Sequence, residues 1–166
     1  MTDAKTISTQ KLTTCALLTA LALIFSYIEF LVPLSLGIPG IKIGLANIVV
    51  VLALFSLGPG YALAVNLIRI ALSALLFGNL FSAVYALCGA LVSLAVMILL
   101  KKTDVFSITG VSMAGGAAHN IAQLAAAAAI AGTSKMFLYM PVLVLAGMAA
   151  GIFNGIVCSL VMRKIK

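Results

Sequence analysis

Residues 12–33 read LTTCALLTALALIFSYIEFLVP, an apolar run that is long enough to cross a lipid bilayer. A spanning helix needs roughly 20 apolar residues, because the hydrocarbon core of a membrane is about 30 Å thick. The run exceeds the apolar core of a signal peptide, and no small-residue cleavage site is evident. We therefore expect it to remain in the protein as the first transmembrane helix.

Similar apolar runs fill the rest of the chain. Of its 166 residues, 64% are hydrophobic and only 8% are charged, which is too little charge to cover the surface of a soluble domain. Glycine, proline and polar turn residues divide the sequence into six predicted helices. Their predicted bounds are 12–33, 43–57, 61–77, 81–100, 107–131 and 137–162. The predicted fold class is all-α: a polytopic membrane protein whose single transmembrane domain, residues 1–166, is a six-transmembrane-helix bundle.

The basic residues indicate the orientation of this bundle. Seven of the ten lie near the chain ends or in the short loop 101–104: Lys5, Lys11, Lys101, Lys102, Arg163, Lys164 and Lys166. If the N-terminus is cytoplasmic, all seven lie on the cytoplasmic side, as the positive-inside rule requires. We therefore expect a multi-pass protein in the lipid bilayer with both termini in the cytoplasm, and we do not interpret the net charge of +7 as nucleic-acid binding.

Residues for catalysis or metal binding are scarce. The only acidic residues are Asp3, Glu29 and Asp104, so no aspartate pair can hold magnesium. The sequence contains neither an HExxH motif nor a phosphate-binding glycine loop, which excludes ATP hydrolysis by this chain. Its three cysteines show no metal-type spacing. We expect no enzyme activity, no metal site and no cofactor.

A few polar residues interrupt the predicted membrane helices. A charged group at the bilayer centre costs about 2.5–3.5 kcal/mol even on the most lenient scale, so each one needs a reason. Arg69 lies near the middle of the third helix, and His119 near the middle of the fifth. Because the polar groups cluster toward the outer half of the bundle, we predict one outward-facing cavity. The predicted ligand-binding residues are Glu29, Lys42, Asn47, Arg69, His119, Asn120 and Gln123.

The chemistry of this set favours a polar or anionic ligand. Arg69 offers five fixed hydrogen-bond donors, and the site is net basic if His119 is counted as partly charged. A purely structural alternative stays open. Arg69 could pair with Glu29 and hold the first and third helices together, and His119 could be a neutral core residue.

Small residues recur at a spacing of four on two helices. Gly147, Gly151 and Gly155 form such a stripe on the sixth helix, and Ala16 and Ala20 on the first. Stripes of this kind let helix backbones approach closely in lipid. They serve either internal packing or the docking of another membrane protein.

Two segments resemble a known family. GIKIGLAN at 40–47 and GVSMAGGAAHNIAQ at 110–123 resemble the small bacterial membrane proteins labelled heptaprenyl diphosphate synthase component I or Gx transporter, and the resemblance covers nearly the whole chain. That family is similar to the substrate-binding S components of energy-coupling factor (ECF) transporters. These are six-helix proteins that capture a vitamin-like micronutrient from outside the cell.

The resemblance implies a function and partners. An S component docks on a transmembrane coupling subunit that two ATPase subunits drive, and an Ala-xxx-Ala motif on its first helix contacts that subunit. Ala16 and Ala20 match this motif, so we expect partner docking there. The expected function is capture of a small polar or anionic small-molecule substrate, flavin- or isoprenoid-related in the family context, at the bacterial cytoplasmic membrane.

Two other functions stay open. The first alternative is a non-catalytic membrane partner of a polyprenyl diphosphate synthase in quinone biosynthesis. Catalysis of prenyl transfer needs magnesium held by clustered aspartates, which this chain lacks. The second alternative is a purely structural subunit of a membrane redox complex.

Overall fold

The computed structural model describes residues 9–32 and 44–165. Within these ranges the chain forms six α-helices and no strand, and each helix begins and ends within a few residues of its predicted bounds. The helices are α1 (Thr9–Leu31), α2 (Leu45–Ser56), α3 (Pro59–Leu76), α4 (Leu80–Lys102), α5 (Ile108–Ala131) and α6 (Met140–Ile165). A 3-10 helix, Ser134–Tyr139, leads into α6. The all-α prediction is confirmed, and Lys42 lies outside the described residues.

Local capping chemistry sets several of the helix boundaries. The side chain of Asn79 accepts a hydrogen bond from the backbone N–H of Ser82, and Ser107 accepts one from Gly110. Each satisfies a backbone donor that the first turn of a helix would leave without a partner. Pro59 occupies the first position of α3, where its missing N–H costs nothing.

The six helices form two halves that face each other. One half consists of α1, α2 and α3, which contact one another, and the other consists of α4 and α6 packed on α5. The halves meet where α2 packs on α6 and where α3 packs on α4. The core follows α2, the most deeply buried helix. Its Val49, Val50, Val51 and Leu54 side chains are each no more than 2% exposed. This short helix therefore lies between the two halves, in contact with α1 and α3 on one side and with α6 on the other.

Contacts between the helices place Lys101, Lys102, Arg163 and Lys164 at one end of the bundle. Gly155 packs against Thr109, so the last turns of α6 lie beside the start of α5, which follows α4 after a short loop. Lys101 reaches the end of α2, where its Nζ donates to the backbone oxygen of Leu54 over 2.6 Å. We call this the basic end, and the end where α1 meets the start of α2 the opposite end.

Glycines let α5 and α6 approach backbone to backbone. A Cβ placed on Gly147 would lie 2.5 Å from the carbonyl oxygen of Gly116, and one on Gly151 would lie 2.7 Å from the Cα of Met113. Both separations are shorter than any real Cβ contact, so neither position can hold a larger residue unless a backbone moves. The packing interpretation of the glycine stripe on α6 is thereby confirmed.

Length and hydropathy identify this bundle as a multi-pass membrane protein. Among the described residues, four segments are long and apolar enough to cross a bilayer: α1, α3, α4 and Ser134–Ile165. Helix α2 has 12 residues, which is about 18 Å and short of a full span. Helix α5 has 24 residues and is about 36 Å long. It is not among the four apolar segments, and it carries three of the predicted binding residues, His119, Asn120 and Gln123. Large apolar side chains cover the outside, with Leu17 at 67% and Leu75 at 82% exposure.

Replacing Gly151 with alanine should destabilise the bundle. The new methyl group would collide with the backbone oxygen of Ser112 and force α5 and α6 apart, and such overpacking typically costs about 1–3 kcal/mol. We expect a lower temperature of thermal unfolding in mild detergent. Gly60→Ala is the matched control, because nothing lies within 4 Å of a Cβ at Gly60. Equal unfolding temperatures for the two variants would contradict the close contact of the helices.

Candidate functional site

A cavity of about 440 Å³ lies between the two halves and is lined by residues from all six helices. Ligand pockets in proteins commonly enclose roughly 300–1,000 Å³, so a small molecule or a head group fits here. The lining extends from Met97, near the basic end, to Gly78 and Asn79 at the opposite end. Six of the seven predicted binding residues line this cavity: Glu29, Asn47, Arg69, His119, Asn120 and Gln123. The seventh, Lys42, lies outside the described residues.

The guanidinium of Arg69 is the strongest polar group in the cavity. Its Nη2 donates to Oδ1 of Asn66 over 2.7 Å, and its Nη1 donates to Oγ of Ser26 over 3.4 Å. Asn66 is itself only 4% exposed, so the contact joins two polar groups inside an apolar bundle. The Nε atom of Arg69 is buried and has no hydrogen-bond partner. One donor of this positively charged group is therefore unsatisfied by the described residues.

Glu29 is bonded to the start of α2. Its Oε1 accepts a hydrogen bond of 2.8 Å from the backbone N–H of Leu45, the first residue of α2. The open alternative that Arg69 pairs with Glu29 is not realised as an ion pair among the described residues, where Arg69 bonds to Asn66 and Ser26. The physical reason is that the start of α2 offers an unpaired backbone donor with a partial positive charge. Glu29 thus joins the end of α1 to the start of α2 and still lines the cavity.

The polar residues His119, Asn120 and Gln123 of α5 line the cavity, and some of them also hold α5 against its neighbours. Nδ2 of Asn120 donates to the carbonyl oxygen of Leu143 over 2.6 Å and so joins α5 to α6. His119 lies against α4 at Gly89, where an added Cβ would come within 3.1 Å of its Nε2. Gln123 lies one turn further along the same face. The glycine on α4 therefore makes room for the imidazole in the cavity wall.

Asn154 was not predicted and belongs to the cavity wall. It is 3% exposed, and its Nδ2 donates to the backbone oxygen of Gly44 over 3.1 Å. Gly44 has a φ of 75° and precedes α2, in a region of backbone space that favours glycine. A signal was present in the sequence, because Asn154 follows Gly151 by one turn in an otherwise apolar helix. Asn154 shares its face of α6 with the glycine stripe, and helix packing was a sufficient explanation for that face.

The described lining is balanced in charge. Arg69 and Glu29 are its only residues with a fixed charge, and they cancel when His119 is neutral. The expectation of a net basic site therefore depends on His119 or on Lys42. No group of three His, Cys, Asp or Glu residues within 9–32 and 44–165 is arranged to hold a metal ion.

The two alanines of the predicted docking face lie on the outer surface of α1. Ala16 and Ala20 are both exposed, whereas their neighbours Cys15 and Thr19 are buried in the bundle. Their small side chains are therefore not buried against the described residues of this chain. The face is available to lipid or to a partner helix.

Comparison with known proteins places the chain in a family. The family model for "Heptaprenyl diphosphate synthase component I" matches residues 18–161, which is most of the sequence. The chain belongs to that family, as the two sequence segments predicted. No curated protein and no solved structure matches it. Component I is the non-catalytic component of the synthase, so the expectation that the chain is not itself an enzyme is confirmed. The resemblance to S components stays a prediction.

Replacing Glu29 with alanine should loosen the junction of α1 and α2. The substitution leaves the backbone N–H of Leu45 without its partner, at a cost of about 1 kcal/mol or more. We expect a lower unfolding temperature for Glu29→Ala. Glu29→Gln, which keeps an acceptor oxygen at the same reach, should unfold close to the wild type. The role given to Glu29 is wrong if its alanine variant unfolds at the wild-type temperature.

Proposed function

We propose that this member of the heptaprenyl diphosphate synthase component I family is a non-catalytic membrane subunit that binds a small polar or anionic molecule in the cavity around Arg69. The observation that carries the proposal is the buried Nε of Arg69, which lacks a partner in a cavity large enough for a ligand. An arginine kept in a membrane bundle is a functional residue by default, because its burial is costly.

The contacts of Arg69 support a binding role over a structural one. A structural arginine is expected to use its donors on groups of the protein, with a carboxylate as the strongest partner. Arg69 instead contacts a neutral amide on its own helix and, over a longer distance, one hydroxyl of α1. The only carboxylate in the cavity is bonded to the start of α2. The hydrogen bonds of Arg69 to described residues thus join α3 to α1 only over 3.4 Å, and its Nε keeps donor capacity for a ligand.

The proposed arrangement in the membrane is a single domain of six spans with both termini in the cytoplasm. Four spans satisfy length and hydropathy on their own. Helix α5 is long enough, and α2 is covered by its neighbours, so its short length is tolerated within the bundle. The positive-inside rule assigns the basic end to the cytoplasm. The cavity then extends toward the outer face of the bacterial cytoplasmic membrane.

The proposed partner is a polyprenyl diphosphate synthase subunit. Family membership supports this alternative more than it supports transport, since the family is described as a component of such a synthase. The chain would contribute membrane anchorage and ligand binding, while its partner would carry the magnesium-dependent chemistry.

A second candidate is an S component of an ECF-type transporter. The observation that favours it is the exposure of Ala16 and Ala20 on α1, where a coupling subunit could approach closely. Its partners would be a transmembrane coupling subunit and two ATPase subunits, and its ligand a vitamin-like micronutrient. Both candidates use the same cavity and differ in the protein that the chain binds.

Arg69→Met should separate a binding role from a structural one. It removes the charge and keeps the length, so affinity for the cavity ligand should fall tenfold or more, about 1.4 kcal/mol. The unfolding temperature of ligand-free protein should not fall, because the variant no longer buries a charge. Lys102→Met, outside the cavity, is the control and should change neither. A fall in the ligand-free unfolding temperature with affinity unchanged would assign Arg69 to bundle stability.

Gentle purification with a test of the α1 surface should distinguish the two candidates. The synthase proposal predicts that a soluble prenyl diphosphate synthase subunit co-purifies, and that cells show no ligand uptake that depends on this chain. The transporter candidate predicts co-purified ATPase subunits and loss of uptake in Ala16→Leu and Ala20→Leu, with ligand binding by the isolated chain retained. Leucine at Ala125 and Ala129, an exposed pair with the same spacing on α5, is the matched control.

A further inference from the structure

The side chain of Asn154 presents an acceptor that has no partner. Its Nδ2 donates to the backbone oxygen of Gly44, which can only accept, so the orientation of the amide group is fixed. Its Oδ1 is then the free end, and it is buried without a hydrogen-bond partner. A buried polar atom of this kind costs about 1–3 kcal/mol. A hydrogen-bond donor from a molecule in the cavity would recover that cost.

Arg69, in the lining of the same cavity, has an unpartnered donor where Asn154 has an unpartnered acceptor. Its Nε is a buried donor without an acceptor, while its terminal nitrogens bond to Asn66 and Ser26. These two atoms are the only buried side-chain polar atoms without a partner among residues 9–32 and 44–165. They lie on opposite halves of the bundle, in α3 and α6, and both residues line the cavity. A ligand that satisfies both must carry an acceptor and a donor.

The charge of the lining limits the charge of that ligand. Arg69 provides one positive charge, and Glu29 places one negative charge in the same space. A diphosphate ester brings about two or more negative charges, of which a single guanidinium compensates only one. A buried charge without compensation costs several kcal/mol. The carboxylate of Glu29 is bonded to the start of α2, where the partial positive charge of the helix compensates part of its charge, so the guanidinium of Arg69 is left for one negative charge of a ligand. The described lining therefore disfavours a diphosphate and suits a head group with a single negative charge.

We propose that Asn154 is a specificity-determining residue, and that the cavity selects a monoanionic molecule that carries a hydrogen-bond donor and excludes prenyl diphosphates. The anionic or carbonyl group lies at Arg69, and the hydroxyl or N–H donor lies at Oδ1 of Asn154. The inference rests on the proposed function and deepens it by naming the ligand class. If the partner is a prenyl synthase, the diphosphate substrate stays in the partner.

The proposal can be tested with fragments of known charge on the full chain in mild detergent. Glycerate and propionate are monoanions with the same number of carbons, but only glycerate carries hydroxyl donors. Inorganic pyrophosphate and farnesyl diphosphate, each with and without Mg²⁺, represent the diphosphate class. The readout is the rise in unfolding temperature in the wild type relative to Arg69→Met. We expect glycerate to stabilise the wild type most, with an affinity about fivefold or more above that of propionate.

Variants of Asn154 test the acceptor oxygen that it offers to a donor on the ligand. Asn154→Leu should abolish the preference for glycerate over propionate and leave the weak binding of propionate. Asn154→Thr, which keeps an acceptor oxygen, should retain part of that preference. The ratio of the two affinities is informative because a general loss of stability lowers both affinities together. If Asn154→Leu does not fold, the ratio in Asn154→Thr against the wild type still measures the contribution of the acceptor.

Three results would overturn the proposal. Stabilisation by either diphosphate that depends on Arg69 would refute the charge limit. Equal affinities for glycerate and propionate in the wild type, or a preference that survives Asn154→Leu, would remove Asn154 from recognition. Absence of any Arg69-dependent effect of glycerate would refute the ligand class. The proposed function would survive each result as long as the wild type binds another small molecule through Arg69.

Discussion

The burial of the Arg69 guanidinium in an apolar bundle is the constraint on which the rest of the structure depends. An arginine keeps its charge in a protein, so the surrounding helices must supply polar contacts or room for a ligand. Asn66 and Ser26 supply two contacts, and the cavity between the halves supplies the room. The polar groups of α2, α5 and α6 face the same space. In a chain with 8% charged residues, such convergence supports the proposed binding site.

The cavity persists because each half is tightly packed within itself. In one half, glycines bring the backbones of α5 and α6 into contact, and Asn120 adds a hydrogen bond to α6. In the other half, Glu29 joins α1 to the start of α2. Between the halves, Lys101 bonds to α2 at the basic end and Asn154 bonds to the residue before α2. Both of these links converge on α2, which explains why so short a helix is the most buried.

The helices and much of the site could be predicted from the sequence because both signals are local. Apolar runs and glycine or proline breaks define the helices, and in a membrane chain a polar residue such as Arg69 or His119 stands out against its neighbours. The partner of Glu29 could not be predicted, since it depends on the distance between α1 and α2 in the folded chain. Asn154 could not be predicted as a site residue because its face of α6 carries the glycine stripe, which packing alone explains. Its free acceptor follows only from the folded structure, where Nδ2 bonds to the carbonyl of Gly44.

The central claim is that Arg69 holds a small molecule between the two halves, and mass spectrometry tests it most directly. The wild-type chain and Arg69→Met would be purified in parallel in mild detergent, then denatured, and the released small molecules identified. We expect one small polar or anionic molecule, released from the wild type in an amount close to that of the protein and absent from Arg69→Met. Equal release from both proteins, or release of nothing but lipid and detergent from a folded wild type, would contradict it.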